Sequence, residues 1–503
     1  MVNLRDIYSY RVCSAKQCRA ADRKTIDDFG VDGFTLMETA GLQAARSVSQ
    51  KIEDGATGLF ICGKGNNAGD ALVVARYLAI NNRHSCTILF MFGQEDLSTD
   101  TNRNLNLLKS LAQQGLDIQF TDDVERIREA RWDYLADGMI GTGLASELRA
   151  PLDRAVHLIN EQDSTVFALD MPTGIHTDSG VVMGCAVKAD YTLSFGALKT
   201  GYYLQNGPVY AGTIEQINLT FPDSLRESAI TLLDSTVADT FPPVIRHENH
   251  KYSNGVLYII AGSEGLTGAA IMAAKSAWAS GTGAIFLLAP RGLLPIYEQC
   301  LPQIIKCPVG TPEERIFSVA HINETKEILA RHKGALLIGP GLGRDNGTVQ
   351  FTRKILEHFS GNAVIDADAL VSFSGAEQPG GCSWIVTPHP GELKHIGHTY
   401  QDDYSRLDWA TSYMDTRNLS VVSKGDPTIA RMEDGHCYVT GYDTKIFSRA
   451  GFGDLLSGMI AGYLSFTGDP EQSILSGLTD GYRKVKQFKN RHPHTPVEPE
   501  HLI

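Results

Sequence analysis

No stretch of this sequence approaches the ~20 consecutive apolar residues that a membrane-spanning helix requires, which excludes a helical span. Positive charge is in short supply: 45 Lys and Arg stand against 58 Asp and Glu, for a formal net charge of -13. General attraction to nucleic acid or to acidic membranes needs clustered positive charge, so neither partner is expected. The nine cysteines contain no C-x-x-C pair, and no His/Cys group has zinc-ligand spacing. Reduced thiols in a cytoplasmic protein are the expectation. Met1 to Arg11 mix charges without a long apolar stretch, so no secretory signal is read there. Short-period repeats and low-complexity tracts are also missing, and His492-Pro-His-Thr-Pro reads as a solvated end.

What is present describes an ordinary globular chain, 43% hydrophobic and 20% charged. At 503 residues it is too long for one core, so two or more domains are expected. In the first half, buried-strand runs at Gly58–Gly63, Cys86–Met91 and Val166–Met171 alternate with helical stretches near Gly69–Ile80, Thr99–Gln114 and Leu152–Gln162. Amphipathic helices at Ser14–Phe29 and Phe34–Ile52 precede them. The second half repeats the alternation, with strands at Val256–Ala261, Ala284–Ala289, Ala335–Ile338, Ala363–Ile365, Trp384–Val386 and Leu419–Ser423. Strands alternating with helices predict parallel sheets covered by helices. Between about Phe221 and Asn249 the pattern fades into polar residues around Pro242–Pro243, which places the domain boundary there.

The most informative segment is Arg449-Ala-Gly-Phe-Gly-Asp-Leu-Leu-Ser-Gly458, a glycine-rich turn opening a helix. Apolar residues recur at Leu455, Leu456, Met459, Ile460, Tyr463 and Leu464 with helical spacing, so the helix starts near Gly453. Its unpaired N–H groups and dipole favour an anion in front of the turn. Asp454 adds a negative charge that a plain anion binder would avoid. A base beside a phosphate site implies phosphoryl chemistry on a hydroxyl. Gly262–Gly268, Gly339–Gly343, Thr387–Glu392 and Lys424–Thr428 each sit at an expected strand end, where ligands of open α/β sheets gather. Alone, each reads as readily as a tight turn. Together they are hard to explain by packing.

In the first half, Gly63-Lys-Gly-Asn-Asn-Ala-Gly-Asp-Ala71 lies between a strand and a helix without being the G-x-G-x-x-G dinucleotide pattern. Asp137 precedes another glycine-rich bend, and Asp170 ends a strand before a proline. An acid held rigidly at a strand tip can work as an acid/base group.

The order GSEGLTGAA, GPGLG, DADAL, TPHPGE, KGDPT and AGFGDLLSGMIAG resembles the ADP/ATP-dependent NAD(P)H-hydrate dehydratases, relatives of the ribokinase-like kinases. The resemblance covers essentially all of residues 250–480. It implies nucleotide contacts at Lys424, Gly425, Asp426, Pro427, Thr428 and Gly453, and substrate contacts at Ala269, Gly343, His389 and Asp454. Asp454 would be catalytic, ADP a co-substrate, and magnesium the ion on its phosphates. ADP in place of ATP follows only from resemblance to fused bacterial forms. The family pattern G-G-T-G-D stands here as Ala450-Gly-Phe-Gly-Asp, and K-G-A-x-T as Lys424-Gly-Asp-Pro-Thr.

Residues 10–220, through LMETAG, GNNAGDA, DGMIGTGL, DMPTGIH and TLSFGALK, resemble the NAD(P)H-hydrate epimerase domain. That match implies substrate contacts at Asn66, Asn67, Ala68, Gly69, Asp70, Gly141, Thr142, Gly143, Leu144, Ala145, Ser146, Glu147 and Asp170. Asp170 would be the acid/base residue, with potassium on Asn67, Asp137 and Thr173. The family pattern G-N-N-G-G-D-G carries alanines here at Ala68 and Ala71, whose methyls are expected to crowd the ligand side.

The two resemblances together imply an α/β protein of two three-layer α/β/α domains, amino-terminal Rossmann-like and carboxyl-terminal ribokinase-like. The expected bounds are 1–225 for the epimerase domain, 226–248 for a linker and 249–503 for the dehydratase domain. The leading reading is a repair enzyme that exchanges the R and S epimers of hydrated NADH and NADPH and dehydrates the S form. A kinase of a small alcohol, or an amino-terminal domain retained only as a binding scaffold, are the alternatives. Small-molecule substrates and a homo-oligomer are expected.

Overall fold

A computed structural model describes residues 10–219, 222–240, 250–415 and 417–503. It divides into two compact units, Met1–Thr231 and Leu232–Ile503.

The first unit is built on strands β1 (Thr57–Cys62), β2 (Ser85–Phe90), β3 (Ile118–Thr121), β4 (Tyr134–Gly138), β5 (Thr165–Leu169), β6 (Tyr191–Phe195) and β7 (Thr213–Ile217). Their order across the sheet is β3-β2-β1-β4-β5-β6-β7, and every pairing is parallel. Order reverses between β1 and β4, and that switch point is where an open α/β sheet leaves a crevice beyond its strand ends. Side chains alternate faces along each strand. Phe60 and Cys62 pack under the helices Gly33–Ser49 and Asn66–Asn81 with Ala44, Ala71 and Leu72. Leu59 and Ile61 face the helix Leu152–Asn160 with Val156 and Ile159. Helices thus cover both faces, which is why the central strands are nearly continuous apolar runs.

A second sheet comprises β8 (Ile230–Leu233), β9 (Val256–Ile260), β10 (Ala284–Pro290), β11 (Ile305–Val309), β12 (Ala335–Ile338), β13 (Ala363–Ile365), β14 (Trp384–Val386), β15 (Leu419–Ser423), β16 (Ile429–Arg431) and β17 (Cys437–Thr440). The order is β8-β17-β16-β15-β14-β13-β12-β9-β10-β11. Pairings from β15 through to β11 are parallel, whereas β16 runs antiparallel to both β15 and β17. One face carries the large core around Tyr258, Phe317, Phe351 and Trp384. Against the other, the helices Thr267–Ala279 and Phe452–Thr467 meet through small residues.

Several elements differ from the sequence expectation, for local reasons. The helix Asn66–Asn81 begins three residues before Gly69, because Gly65 adopts the extended N-cap conformation and Asn66 to Gly69 form the first turn. β3, β7 and β11 are half-exposed edge segments, so they lack the continuous apolar run that marks the central strands. Residues 230–240, read from the sequence as linker, form the fully buried β8 and the helix Ser235–Thr240. Residues 241–248 of that linker, with Pro242 and Pro243, lie outside the described residues, as do residues 1–9.

The closest helix approach sets a stability test. A β-carbon at Gly458 would fall 2.1 Å from Ser276 Oγ and 2.3 Å from the Ala273 carbonyl oxygen. Gly458→Val therefore forces the helices Thr267–Ala279 and Phe452–Thr467 apart, at a cost of about 1–3 kcal/mol. Urea unfolding followed by circular dichroism should show the carboxyl-terminal unit melting earlier, with the amino-terminal transition unmoved.

Candidate active sites

In the first unit the site forms at the ends of β1, β4, β5 and β6. Asp170 follows β5 directly, in a left-handed backbone conformation (φ +64°) that turns its side chain back over the sheet edge. Its amide N–H donates to the Leu193 carbonyl at 2.9 Å. The buried Lys199 ammonium pairs with Oδ1, and the Phe195 N–H donates to the same oxygen at 3.2 Å. Oδ2 points the other way: a β-carbon on Gly141 would stand 3.2 Å from it and 3.4 Å from the Asn67 amide carbon. Gly141 is thus the gap between Asp170 and Asn67, and a side chain there would fill it.

Asn67 is buried in the first turn of its helix, yet neither polar atom of its amide has a hydrogen-bond partner among the described residues. Asp137 ends β4 and is fully buried. Burial pushes its carboxyl up to about 6, against the Thr173 N–H and hydroxyl, each at 2.7 Å, and the Met139 N–H. Asp70 is raised well above the usual carboxylate range by burial, with Asp170 and Asp22 adding repulsion and Lys199 opposing. Thr142 and Gly141 are half-buried, Leu144 is buried, and Gly143, Ala145, Ser146 and Glu147 are exposed along the loop.

In the second unit a cavity of about 530 Å³ is lined by Asp366, His389, Lys424, Gly425, Asp426, Thr428, Gly453 and Asp454. This volume lies in the range of small-molecule sites. Gly451, in left-handed conformation (φ +95°), caps the helix Phe452–Thr467 and puts Asp454 in its first turn. Lys424 comes off β15 and reaches Asp366, at the end of β13, at 2.8 Å. A β-carbon on Gly453 would sit 3.4 Å from the Lys424 ammonium, so the glycine keeps that space open. Asp454 is pushed up to about 6, first by burial and then by Asp366, with Lys424 counteracting.

His389 caps a short 3-10 helix, Pro390–Ile396, where its Nδ1 accepts from the Gly391 N–H at 3.0 Å and its Nε2 lies 3.3 Å from Glu392. Its side chain is 57% exposed, leaving the ring available to a ligand. Ala269 and Gly343 do not line this cavity. Ala269 lies beside the Gly341 turn. The Gly343 N–H donates to Asp368, which also holds Arg344, whose guanidinium lies 3.8 Å from Glu392. A polar chain thereby joins the Gly343 turn to His389. Pro427 likewise stays out of the lining.

Comparison with known proteins fits this geometry. Residues 33–201 match the family described as YjeF-related protein N-terminus, and residues 257–497 match the NAD(P)H-hydrate dehydratase family. The chain is 32% identical over 512 aligned positions to the bifunctional NAD(P)H-hydrate repair enzyme of Salinibacter ruber, covering 96% of this chain and 92% of that one. It is 30% identical to the Coxiella burnetii enzyme of the same name, over 90% and 89% of the two chains. The chain belongs to the bifunctional NAD(P)H-hydrate repair enzymes.

A solved ADP/ATP-dependent NAD(P)H-hydrate dehydratase from Bacillus subtilis, co-crystallised with ATP and Mg2+, matches 53% of this chain and 93% of its own at 23% identity and a TM-score of 0.44. Within the repair-enzyme family the first unit is the epimerase and the second the dehydratase. The small-alcohol kinase is not favoured.

The chain's departures from the family pattern fall in different surroundings. Ala68 and Ala71 are fully buried in the core beneath β1 and β4, so their methyls do not crowd the ligand side as expected. Phe452 is buried against Leu455, Val485, Val497 and Leu502 and also lines the cavity, where its ring adds bulk. Asp426 accepts from the Thr444 hydroxyl at 2.7 Å and faces Lys445 at 3.3 Å, so its charge is partly offset at the cavity wall.

Sequence reasoning missed Lys199, Asp366 and Arg406, because each acts on a residue distant in the chain. Arg406 is fully buried behind Lys424–Thr428, donating to the Lys424 carbonyl at 2.9 Å and to the Pro427 carbonyl, and pairing with Asp403 at 3.0 Å. A β-carbon on Gly425 would strike it at 2.3 Å, so that glycine is required by the arginine. Removing one partner of a buried pair costs about 3–5 kcal/mol. Arg406→Ala should therefore destabilise the carboxyl-terminal unit by that order in urea unfolding and raise the KM for nucleotide, while the Asp170 site keeps its activity.

Proposed function

We propose that this chain exchanges the R and S epimers of hydrated NADH and NADPH at Asp170, and dehydrates the S epimer at Asp454 with ADP converted to AMP and phosphate. One observation carries the second assignment: a half-buried carboxylate, raised to about 6, at a helix N-terminus in a cavity shared with Lys424 and His389. A base with that pKa is ionised at neutral pH yet retains enough proton affinity to take a hydroxyl proton.

The hydroxyl of hydrated nicotinamide is a poor leaving group. Asp454 takes its proton as the oxygen attacks the terminal phosphate of ADP. The helix N-terminus and Lys424 stabilise the charge that develops on the transferred group. AMP leaves as the new P–O bond forms; the phosphate then departs with the C–O bonding electrons while the neighbouring ring carbon loses a proton to solvent, and the reduced dihydropyridine ring is restored. Gly453, Gly425 and Thr428 supply backbone and hydroxyl contacts for the nucleotide, and His389 meets the substrate. Among the described residues no group of three or more His, Cys, Asp or Glu is placed to hold a metal. Magnesium would enter with the polyphosphate, where it neutralises charge.

In the first unit, Asn67, Asp137 and Thr173 fit a potassium ion. The buried Asn67 amide has no hydrogen-bond partner among the described residues, and Asp137 and Thr173, bonded to each other, add hard oxygen donors. Bound there, the ion would offset the Asp137 charge and order the Gly141 loop. Asp170 exchanges protons with the substrate through Oδ2, and Asn66 to Asp70 with Gly141 to Glu147 hold the dinucleotide. The described cysteines are all free thiols, in keeping with a cytoplasmic enzyme.

The test supplies purified protein with racemic hydrated NADH, ADP and magnesium, and follows the return of reduced-nicotinamide absorbance. Complete conversion is expected. Asp454→Asn should reduce dehydration by roughly 10²–10⁴-fold with epimer exchange intact, and Asp170→Asn should do the reverse. Equal loss of both activities in either variant would refute separate sites.

The pH dependence follows from the same carboxylate. Its base form is lost as pH falls through the raised value, so dehydration of the S epimer should fall off with a midpoint near 6. An ordinary carboxylate would give a midpoint near ~4. A profile breaking there would remove Asp454 as the base.

A further inference from the structure

Lys199 belongs to no assigned role, yet it is a buried cation with acceptors on every side. After β6 the chain makes a tight turn through Gly196 (φ +70°), where the Ser194 hydroxyl donates to the Ala197 carbonyl at 2.8 Å. The next two residues, Leu198–Lys199, pair in parallel with Val12–Cys13. That pairing fixes the Lys199 backbone and sends its side chain under Asp170. The ammonium donates to Oδ1 of Asp170, to the Phe195 carbonyl at 2.9 Å and to Ser194 Oγ at 3.2 Å, so its three donors all have acceptors. Burial opposes its charge, but Asp170 prevails and holds it above the ordinary lysine range.

The side chain is 1% exposed, so it cannot reach a substrate itself. What it does is divide the labour of the carboxylate. Oδ1 is occupied by the ammonium and by the Phe195 N–H, while Oδ2 is left facing the gap at Gly141. The Tyr202 hydroxyl fixes the other end of the residue by donating to the Asp170 carbonyl. A carboxylate free to rotate would present either oxygen at many angles; one anchored at Oδ1 presents a single oxygen along one line. Acid/base catalysis depends on that alignment.

We propose that Lys199 is the positioning residue of the epimerase site, holding Asp170 by one oxygen so that the other works on the substrate. The proposal rests on Asp170 being the acid/base residue of that site. Its test uses the full chain without ADP, so that only epimer exchange occurs, and follows conversion of the R hydrate of NADH to the S form by chromatography. Lys199→Met should lower kcat on the order of 10–100-fold, as loss of an orienting partner does elsewhere, with KM little changed. Lys199→Arg should restore part of the loss. In the background of Asp170→Asn, Lys199→Met should cost nothing more, because residues acting as one unit are not additive. A merely structural lysine would instead multiply the loss. Dehydration of the S epimer with ADP, and circular dichroism, report whether each variant is folded. If the methionine variant is not, Lys199→Gln replaces it in the same cycle.

Wild-type rates in Lys199→Met, a loss confined to KM, or full additivity with Asp170→Asn would overturn the positioning role while leaving the epimerase reading standing. Failure of the wild-type chain to exchange the epimers at all would overturn that reading and the proposal with it.

Discussion

The structure turns on a constraint that both units meet in the same way: a carboxylate taken out of water must be paired or must give up its charge. In the first unit Asp170 meets Lys199, and in the second Asp366 meets Lys424. In each case the acid ends one parallel strand and the amine comes from beyond the end of another. The pairs therefore stand at the carboxyl edge of the sheets, where order of strands opens the crevices.

The two pairs serve their neighbours differently. Lys199 spends its charge directly on Asp170, the carboxylate beside the Gly141 gap. Lys424 spends most of its charge on Asp366, and acts on Asp454 only at longer range. Asp454 is consequently left with burial and a second negative charge dominating, which raises it. A base of higher affinity suits removal of a hydroxyl proton, whereas an anchored carboxylate suits reversible exchange with a substrate. The same two residue types thus support two chemistries through arrangement alone.

Much of this was legible in the sequence. The central strands announced themselves as apolar runs, because a strand buried on both faces has no polar side to show. Edge strands such as Ile118–Thr121 and Thr213–Ile217 did not, being half-exposed. The glycine turns at Gly65, Gly141 and Gly451–Gly453 marked the strand ends where ligands gather, and Asp137, Asp170 and Asp454 stood out within them. The alanines at positions 68 and 71 misled, since periodicity alone does not tell whether a methyl in the first turn of a helix faces the crevice or the sheet below.

The family patterns in the sequence identified both halves and their chemistry, because the turns that approach a phosphate or a dinucleotide tolerate few residue types. Pairings across the chain were beyond it. Lys199 is 29 positions from Asp170 and Lys424 is 58 from Asp366, and no local spacing links them. Arg406 looks like any helical arginine until the hairpin it braces is seen. Sequence by itself determined where the glycine turns fall and which acids stand in them. Tertiary structure alone decided which charges touch, because parallel sheets bring distant strand ends side by side, and the electrostatics of each acid depends on that neighbour.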